Sequence, residues 1–311
     1  MRSGHDMSPL LHIIITALFA QTALGLVPAG YTPNGKPIFQ APPGSSIQQS
    51  GKDFDVFAPN GTLIHVFEGA HTGKTRAQGS NLALTRRGDY SLTEALTIVN
   101  SSDIIQSFDT SFIVPPEPAA FNSQLFFFGA GIGLFNEHDS NTLFPLLQVG
   151  LQYGGTTRQG GSFWTAVIVL EQNDGSLLQI SSSSSNPVVR EGDRISVSIA
   201  SDPGHPQGPT PSFWYRAGFG NTGPAFPFNV GIMWQQLPQK ATFRLEEFGV
   251  TLPNEYPTGS VTFEDVNLSL TTGHPSISWT ANVDPATDLT IEVERDSSEN
   301  AQIAIIFPEN S

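Results

Sequence analysis

The feature that most constrains this sequence is a long series of short apolar segments separated by turn residues. Segments such as SFDTSFIVPP, SQLFFFGAGIGLF and SFWTAVIVLE are rich in β-branched or aromatic residues, and Gly, Pro, Asn and Asp lie between them. Ile195, Val197 and Ile199 alternate with serines, which indicates a strand with one buried face and one wetter face. No long stretch has a convincing helical period. About ten such strands predict an all-β antiparallel sandwich or barrel.

The chain contains no cysteine in 311 residues. Small secreted folds usually depend on disulfides, so we expect this one to be stabilised by a large hydrophobic core. Thiol catalysis and cysteine metal sites are excluded. The formal net charge of −14 argues against nucleic acid and against anionic membranes, because both would repel the chain.

The first 25 residues are typical of a cleavable secretory signal peptide. Arg2 precedes a mostly apolar stretch from Leu10 to Phe19, and the small residues Ala23 and Gly25 have the spacing of a peptidase cleavage site. The apolar stretch is too short to span a bilayer. We therefore expect a secreted, extracellular protein. The sequons at Asn60, Asn100 and Asn267 are candidate glycosylation sites on this route.

The residues that follow suggest two further parts. Residues 26 to about 50 are rich in Pro, Gly and Ser and predict an extended leader, and a hairpin is expected from Asp53 with its turn at 59–61. The dibasic pair Arg86-Arg87 is either a processing site or two solvated arginines. The expected division is a signal peptide at 1–25, a leader or propeptide with a hairpin at 26–87, and the sandwich at 88–311.

Most familiar catalytic motifs are absent from the sequence, including GxSxG, HExxH and a phosphate-binding loop. The polar run 136–139, Asn-Glu-His-Asp, is better explained as a loop than as a metal site, because adjacent side chains on an extended backbone point apart. His205, between Gly and Pro, is expected in a loop. The cluster Phe213, Trp214 and Tyr215 has the chemistry to stack on a sugar, although alternation places at least one of them in the core.

Two strands carry the candidate catalytic residues. Gln148 and Gln152 lie four residues apart in FPLLQVGLQYGG, hence on one face of a strand that is otherwise apolar. In ATFRLEEF, Glu246 shares a face with Arg244. Residue chemistry alone favours a Glu246 that simply faces water beside Arg244.

These segments resemble, in type and order, the fungal glutamic peptidases of the eqolisin family. The match runs through FIVPP, FFFGAG, LLQVG, FWTAV, VREGDRISVSI, ATFRLEEF and PTGSVTFEDV, about residues 108 to 266. The resemblance implies a two-sheet antiparallel β-sandwich of the concanavalin A-like (jelly-roll) type. It places Gln148 at the catalytic glutamine and Glu246 at the catalytic glutamate.

The sequence also departs from the family pattern. Phe128-Gly129 stands where the family usually has a tryptophan followed by Val-Gly. In the segment that corresponds to AWYEW, Val169 replaces a carboxylate that lies in the cleft, and Thr165 stands where an aspartate is common. The predicted binding surface has therefore diverged while both dyad positions are filled.

The resemblance implies an acid endopeptidase mechanism without metal or organic cofactor. Ionised Glu246 would take a proton from the attacking water and return it to the leaving amine, and Gln148 would orient the water and bind the oxyanion. An ordinary glutamate pKa near about 4.3 would place this activity in acid. The mechanism requires both side chains to face one open groove, within about one water of each other.

Two other functions remain open at this point. One is a catalytically inactive relative whose dyad is only a buried hydrogen-bonded pair. The other is a carbohydrate-binding sandwich, with Trp164, Trp214 and Trp234 as candidates for a sugar groove. The expected partner is a polypeptide substrate or a glycan, without nucleic acid or membrane, and the chain is expected to be a monomer.

Overall fold

Short strands account for nearly all regular structure in the part of this chain that the structure describes. The computed structural model describes residues 25–70, 74–75, 90–135, 142–143, 145–155, 160–180, 188–204, 211–220 and 229–309. The strands of the N-terminal part are β1 (Pro28–Tyr31), β2 (Pro37–Ala41), β3 (Ser46–Ser50), β4 (Asp53–Phe57), β5 (Leu63–Phe67), β6 (Lys74–Thr75) and β7 (Ser91–Ile98). The strands of the middle part are β8 (Ile105–Ile113), β9 (Leu125–Gly133), β10 (Thr142–Leu143), β11 (Leu146–Gly155), β12 (Gly160–Glu171), β13 (Leu177–Ile180), β14 (Val188–Val189) and β15 (Arg194–Ser201). The last strands are β16 (Phe213–Phe219), β17 (Asn229–Trp234), β18 (Lys240–Phe248), β19 (Ser260–Leu270), β20 (Thr280–Asn282), β21 (Thr290–Arg295) and β22 (Ala301–Ile306).

The strands form two large sheets and one small ribbon. Sheet A has the order β1-β2-β13-β12-β11-β9-β18-β7-β20, with β14 beside β12. Sheet B has the order β21-β22-β19-β8-β15-β16-β17-β3-β4-β5, and β6 pairs with β10. The predicted two-sheet sandwich is confirmed. Most pairings are antiparallel, as expected, but β2 pairs in parallel with β13, and β3 pairs in parallel with β17.

The core lies between the two sheets and is rich in aromatic rings. Phe128 of β9 meets Phe112 of β8 with 5.4 Å between ring centroids, and Phe243 of β18 meets Phe263 of β19 at 4.5 Å. Each of these contacts joins sheet A to sheet B. The alternation predicted in β15 is present, because Ile195, Val197 and Ile199 are buried and the intervening serines are half-buried. This core stabilises a chain that has no disulfide.

Helix is almost absent from the residues described above. They contain one short 3₁₀ helix, Pro253–Glu255, and no helix long and apolar enough to cross a membrane. The carboxylate of Glu255 accepts hydrogen bonds from the backbone of Thr251 and Leu252 and from Asn122. This carboxylate fastens the loop after β18 to the loop before β9.

The prediction of an extended leader over residues 26 to about 50 is wrong. This segment contains β1, β2 and β3, and two of these strands are built into different sheets. Short edge strands tolerate proline and glycine, which explains why the composition suggested a leader. The predicted hairpin is confirmed, because β4 and β5 pair across the turn at 59–61. Residues 1–24 and the pair Arg86-Arg87 lie outside the described residues.

Candidate active site

Gln148 and Glu246 lie on the outer face of sheet A, on strands separated only by β9. Gln148 is on β11 and Glu246 is on β18, and both strands pair with β9. The inward faces of these strands carry Leu147, Val149 and Leu245, which belong to the core between the sheets. The face predicted for each candidate is therefore confirmed, and the sheet brings the two side chains together.

The amide of Gln148 contacts the carboxylate of Glu246 directly. In the amide orientation that pairs both of its ends, the nitrogen donates to Glu246 Oε1 at 3.2 Å and the oxygen accepts from the backbone N–H of Gly129 at 3.0 Å. The opposite orientation offers one contact, from Nε2 to the carbonyl oxygen of Arg244 at 3.4 Å. The first orientation is preferred because buried polar atoms are nearly always hydrogen-bonded.

Arg244 links Glu246 to a second carboxylate. Its Nη2 atom lies 3.0 Å from Glu246 Oε1 and 3.0 Å from Glu171 Oε2. Glu171 is on β12, three strand spacings or about 14 Å from β18, so the side chains of Arg244 and Glu171 together cross β9 and β11. Gly129 and Gly150 face each other in this row and carry no side chains to block the path.

The glycine pair is required by the backbone as well. A Cβ on Gly129 would lie 2.1 Å from the carbonyl oxygen of Val149, and one on Gly150 would lie 2.0 Å from that of Phe128. Neither position has room for a side chain. The strands formed by FFFGAG and LLQVG can therefore pair at this distance because each has a glycine at the point of contact.

A third carboxylate extends the same network. Glu94 of β7 binds Lys240 Nζ at 2.7 and 2.9 Å and accepts from Thr242 Oγ1 at 3.1 Å. Burial acts to raise the pKa of Glu94, but the charges of Lys240 and Arg244 and these hydrogen bonds outweigh it and lower the pKa overall. Glu94 is therefore the ionised partner of Lys240.

Burial raises the pKa of Glu246 from 4.5 to about 8. Arg244 acts in the opposite direction, while Glu171 and Glu94 add to the increase. The network contains three carboxyl groups but two cations. Burial of a charge without a counterion is costly, so one carboxyl group is expected in its neutral form. Glu246 is this group, since its side chain is 2% exposed against 14% for Glu171.

The contacts of Glu246 indicate which oxygen carries the proton. Arg244 and Gln148 both donate to Oε1. Because Oε1 already accepts from two donors, a proton on the neutral carboxyl group would be carried by Oε2. The apolar side chains of Phe127 and Val169 are buried on the same face and keep the site dry.

Three expectations about Glu246 are wrong. It does not face water beside Arg244, because it is buried and its Oε1 atom lies 3.0 Å from Arg244 Nη2. Its pKa is not that of an ordinary glutamate. The pair does not face an open groove either, since Gln148 is 3% and Glu246 is 2% exposed. The buried apolar side chains on this face and the contact of Arg244 with Glu246 Oε1 account for all three differences.

Glu171 lies two residues after Val169, the position where the resemblance implies a cleft carboxylate. Val169 is opposite Gln148 in the strand register, and Glu171 follows on the same face of β12. Sequence analysis did not identify Glu171, although alternation along the strand could have placed it on the same face as Val169. Its pairing with Arg244, three strands away in the sheet, has no local sequence pattern. Sequence reasoning also missed Glu94 and Lys240.

Two of the tryptophans proposed for a sugar groove are excluded from that role. Trp164 is 1% exposed and Trp234 is not exposed, and both belong to the core between the sheets. Trp214 is half-buried on β16, and its neighbour Tyr215 is buried, as alternation predicted. A groove that combines these three tryptophans does not exist.

The remaining candidates are placed as follows. Asn60 and Asn100 are exposed, and Asn267 is half-buried. The run 136–139 and His205 lie outside the described residues. Among the residues that are described, no group of three or more His, Asp or Glu side chains is arranged to hold a metal ion.

Comparisons with known proteins found similarity to solved structures. No protein-family model matches the chain, and no curated protein matches it. One matching solved structure is SCP-B, a member of the eqolisin family of peptidases, in a complex with the tripeptide Ala-Ile-His. The match covers 71% of this chain and 98% of that chain, at 13% identity and a TM-score of 0.40. A similarity of this degree assigns no residue a role.

Proposed function

We propose that this chain is a secreted peptide hydrolase of the glutamic type, in which Glu246 and Gln148 activate water. The observation that carries the proposal is the 3.2 Å contact between the Gln148 amide and Glu246 Oε1. Two residues chosen from separate sequence segments meet on one sheet face, inside a cluster of ionisable groups with a strongly raised pKa. Such clusters are typical of functional sites.

The chemistry assigned to the pair needs no other group. Ionised Glu246 removes a proton from a water molecule while the water oxygen forms a bond to the carbonyl carbon of the peptide. The Gln148 amide N–H donates to the oxyanion that develops on the carbonyl oxygen. Glu246 then transfers its proton to the amine nitrogen as the carbon–nitrogen bond breaks. For this reaction, the substrate must displace Arg244 from Glu246 Oε1, and the side chains that cover the pair must move aside to open a groove, because Gln148 is 3% and Glu246 is 2% exposed.

The raised pKa changes the pH at which this reaction is expected. The base is the ionised form of Glu246, whose population increases as the pH approaches about 8. The hydrolysis should therefore be faster near neutral and weakly alkaline pH than in acid, in contrast to the expectation from an ordinary glutamate.

The test is hydrolysis of denatured casein and of a peptide library between about pH 4 and about pH 9. Cleavage by the wild type that both Gln148→Ala and Glu246→Ala abolish would support the proposal. Glu247→Gln is the matched control, because this adjacent carboxyl group lies on the opposite face of β18. The absence of cleavage by the wild type at every pH would refute the proposal.

A second candidate function is that of an inactive relative whose polar network only stabilises sheet A. It is favoured by one observation, that both ends of the Gln148 amide and Glu246 Oε1 are paired within a buried network. In this case Gln148→Ala and Glu246→Ala would change the free energy of unfolding, and no variant or wild type would cleave peptides.

A further inference from the structure

The turn between β1 and β2, residues 32–36, meets a loop from a distant strand of sheet A. A Cβ on Gly249, in the loop after β18, would lie 3.4 Å from Pro33 Cβ and 3.7 Å from Gln124 Cα. Four strands, β13, β12, β11 and β9, lie between β2 and β18 in the sheet. In a flat sheet this is five strand spacings, or about 24 Å. Sheet A must therefore curl so that the turn reaches the loop.

The contact lies on the outer face of sheet A, the face that carries the two candidate catalytic residues. Ile38 of β2 belongs to an apolar cluster with Leu125 and Phe127 of β9, separate from the core between the sheets. A cavity of about 330 Å³ is enclosed between the turn and the sheet, and the residues that line it include Tyr31, Pro33, Ile38, Leu125 and Gln152. The turn therefore stands over the outer face.

The closed end of this face is next to Glu246. In the strand register, Phe127 is opposite both Glu246 of β18 and Gln152 of β11, and Leu125 is opposite Phe248 in the next row. Leu125 and Gln152 line the cavity under the turn. Phe127 is 1% exposed and Phe248 is 3% exposed. The turn thus closes the outer face within one row of Glu246.

The turn is a preformed unit that is attached differently on its two sides. Thr32 N donates to Lys36 O at 2.8 Å, and Lys36 N donates to Thr32 Oγ1 at 2.9 Å. Lys36 Nζ donates to the carbonyl oxygen of Asp174, in the turn between β12 and β13, at 2.5 Å. On the other side the exposed ring of Pro33 lies against Gly249. Release of this ring is a local opening, which costs less than global unfolding.

The buried pair requires an opening of this kind. Gln148 is 3% exposed and Glu246 is 2% exposed, so neither reaches a peptide in the closed structure. The pair lies on β11 and β18, which are central strands with neighbours on both sides, whereas β1 and β2 lie at the edge of the sheet. Movement of the edge breaks fewer contacts than movement of the central strands.

We propose that residues 32–36 form a strap that closes the outer face of sheet A, and that release of Pro33 from Gly249 opens this face and exposes Glu246. The strap is then an autoinhibitory contact for the proposed hydrolysis. Admission of substrate rests on the proposed function, whereas the closing contact does not, so the two need separate readouts.

The test is a disulfide across the contact, in the double variant Pro33→Cys/Gly249→Cys. A Cβ on Gly249 would lie 3.4 Å from that of Pro33, near the separation of about 3.5 to 4.5 Å found in disulfides. The chain has no cysteine of its own, so the introduced pair can form one bond within the chain. Gly249 has a φ of 76°, and the oxidised and reduced samples carry the strain of the new side chain equally.

The first readout is labelling of carboxyl groups by a carbodiimide and an amine, located by mass spectrometry. Glu247 is the internal control, because it is 2% exposed, like Glu246, but lies on the opposite face of β18. Burial raises the pKa of Glu246 to about 8 and that of Glu247 to about 7, so both hold their protons at about pH 6. The disulfide should lower the labelling of Glu246 relative to Glu247 at least about tenfold.

A second variant tests the contact without cysteines, in case the double variant does not fold. Pro33→Gly removes the ring from Gly249 and should raise the labelling of Glu246 relative to Glu247 at least about twofold. Pro59→Gly, at an exposed proline in the turn between β4 and β5, is the matched control and should label like the wild type.

The second readout is hydrolysis of denatured casein. The oxidised double variant should cleave at least about tenfold more slowly than the reduced one, and a reductant should restore the rate. If no form of the protein cleaves casein while the disulfide still protects Glu246 from labelling, the proposed function fails and the strap is supported.

Two results would overturn the strap. One is the same labelling of Glu246 relative to Glu247 in oxidised, reduced and Pro33→Gly proteins. The other is a folded double variant whose cysteines do not form a disulfide, which would contradict the contact between Pro33 and Gly249.

Discussion

Replacement of Glu246 by glutamine should stabilise the protein at alkaline pH and leave its stability nearly unchanged in acid. Burial raises the pKa of Glu246 from 4.5 to about 8 in the folded state. Below about pH 4.5 both folded and unfolded chains hold the proton. Between about pH 4.5 and about pH 8 the unfolded chain loses it while the folded chain keeps it, so the free energy of unfolding falls as pH rises.

The magnitude follows from the two pKa values. The interval from 4.5 to about 8, at about 1.4 kcal/mol per pH unit, gives a loss of about 5 kcal/mol that is complete above about pH 8. Glutamine resembles the neutral carboxyl group in shape and does not ionise. Glu246→Gln should therefore match the wild type near about pH 4 and exceed its free energy of unfolding by about 5 kcal/mol near about pH 9.

The assay is urea denaturation of wild type and Glu246→Gln at several values between about pH 4 and about pH 9. Glu292→Gln, at an exposed glutamate of β21, is the matched control and should follow the wild type. Glu247 also has a raised pKa, about 7, because it is buried, but it contributes equally to both proteins. If the difference between Glu246→Gln and wild type does not grow with pH, Glu246 is not held neutral in the folded protein.

Three further outcomes are expected. Arg244→Met should lower the free energy of unfolding by about 3 to 5 kcal/mol in urea denaturation at neutral pH, because it leaves buried carboxyl groups without their cation; a loss below about 1 kcal/mol would contradict the pairing. Gly150→Ala should lower the free energy of unfolding by about 1 to 3 kcal/mol, because its Cβ would lie 2.0 Å from a backbone carbonyl oxygen. Gly160→Ala is the control, because a Cβ at this position meets open space, and it should be nearly neutral. Urea denaturation of both variants measures the difference. In a eukaryotic host, mass spectrometry should find glycan on exposed Asn60 but little on Asn267, whose Nδ2 already donates to a backbone carbonyl at 2.8 Å; full occupancy of Asn267 would refute this.

The periodicity of the strands was enough to predict the sandwich and the faces of the candidate residues. Ile195, Val197 and Ile199 alternate as a half-buried strand must, and the spacing of four places Gln148 and Gln152 on one face. The contact between Gln148 and Glu246 followed from the family resemblance. Neither the alternation nor the resemblance gives the order of strands in the sheet, so the ion pair between Arg244 and Glu171 was not predictable.

The N-terminal strands escaped prediction for a different reason. β1 and β2 are four and five residues long, begin with proline and lie at the edge of sheet A. Short strands at an edge need few regular hydrogen bonds, so a Pro- and Gly-rich composition is compatible with them.

The N-terminal segment crosses from sheet A to sheet B, and this path determines whether a proteolytic cut would release it from the rest of the protein. β2 is hydrogen-bonded into sheet A, and β3, after a four-residue connection at 42–45, is hydrogen-bonded into sheet B. A cut at Arg86-Arg87 would leave these strands in place, because Ile38, Ile47 and Phe54 are buried. The product would be a two-fragment complex that migrates as one species on a native gel and as two on a denaturing gel. Expressed separately, the two fragments would be candidates for fragment complementation, each providing strands that the other lacks.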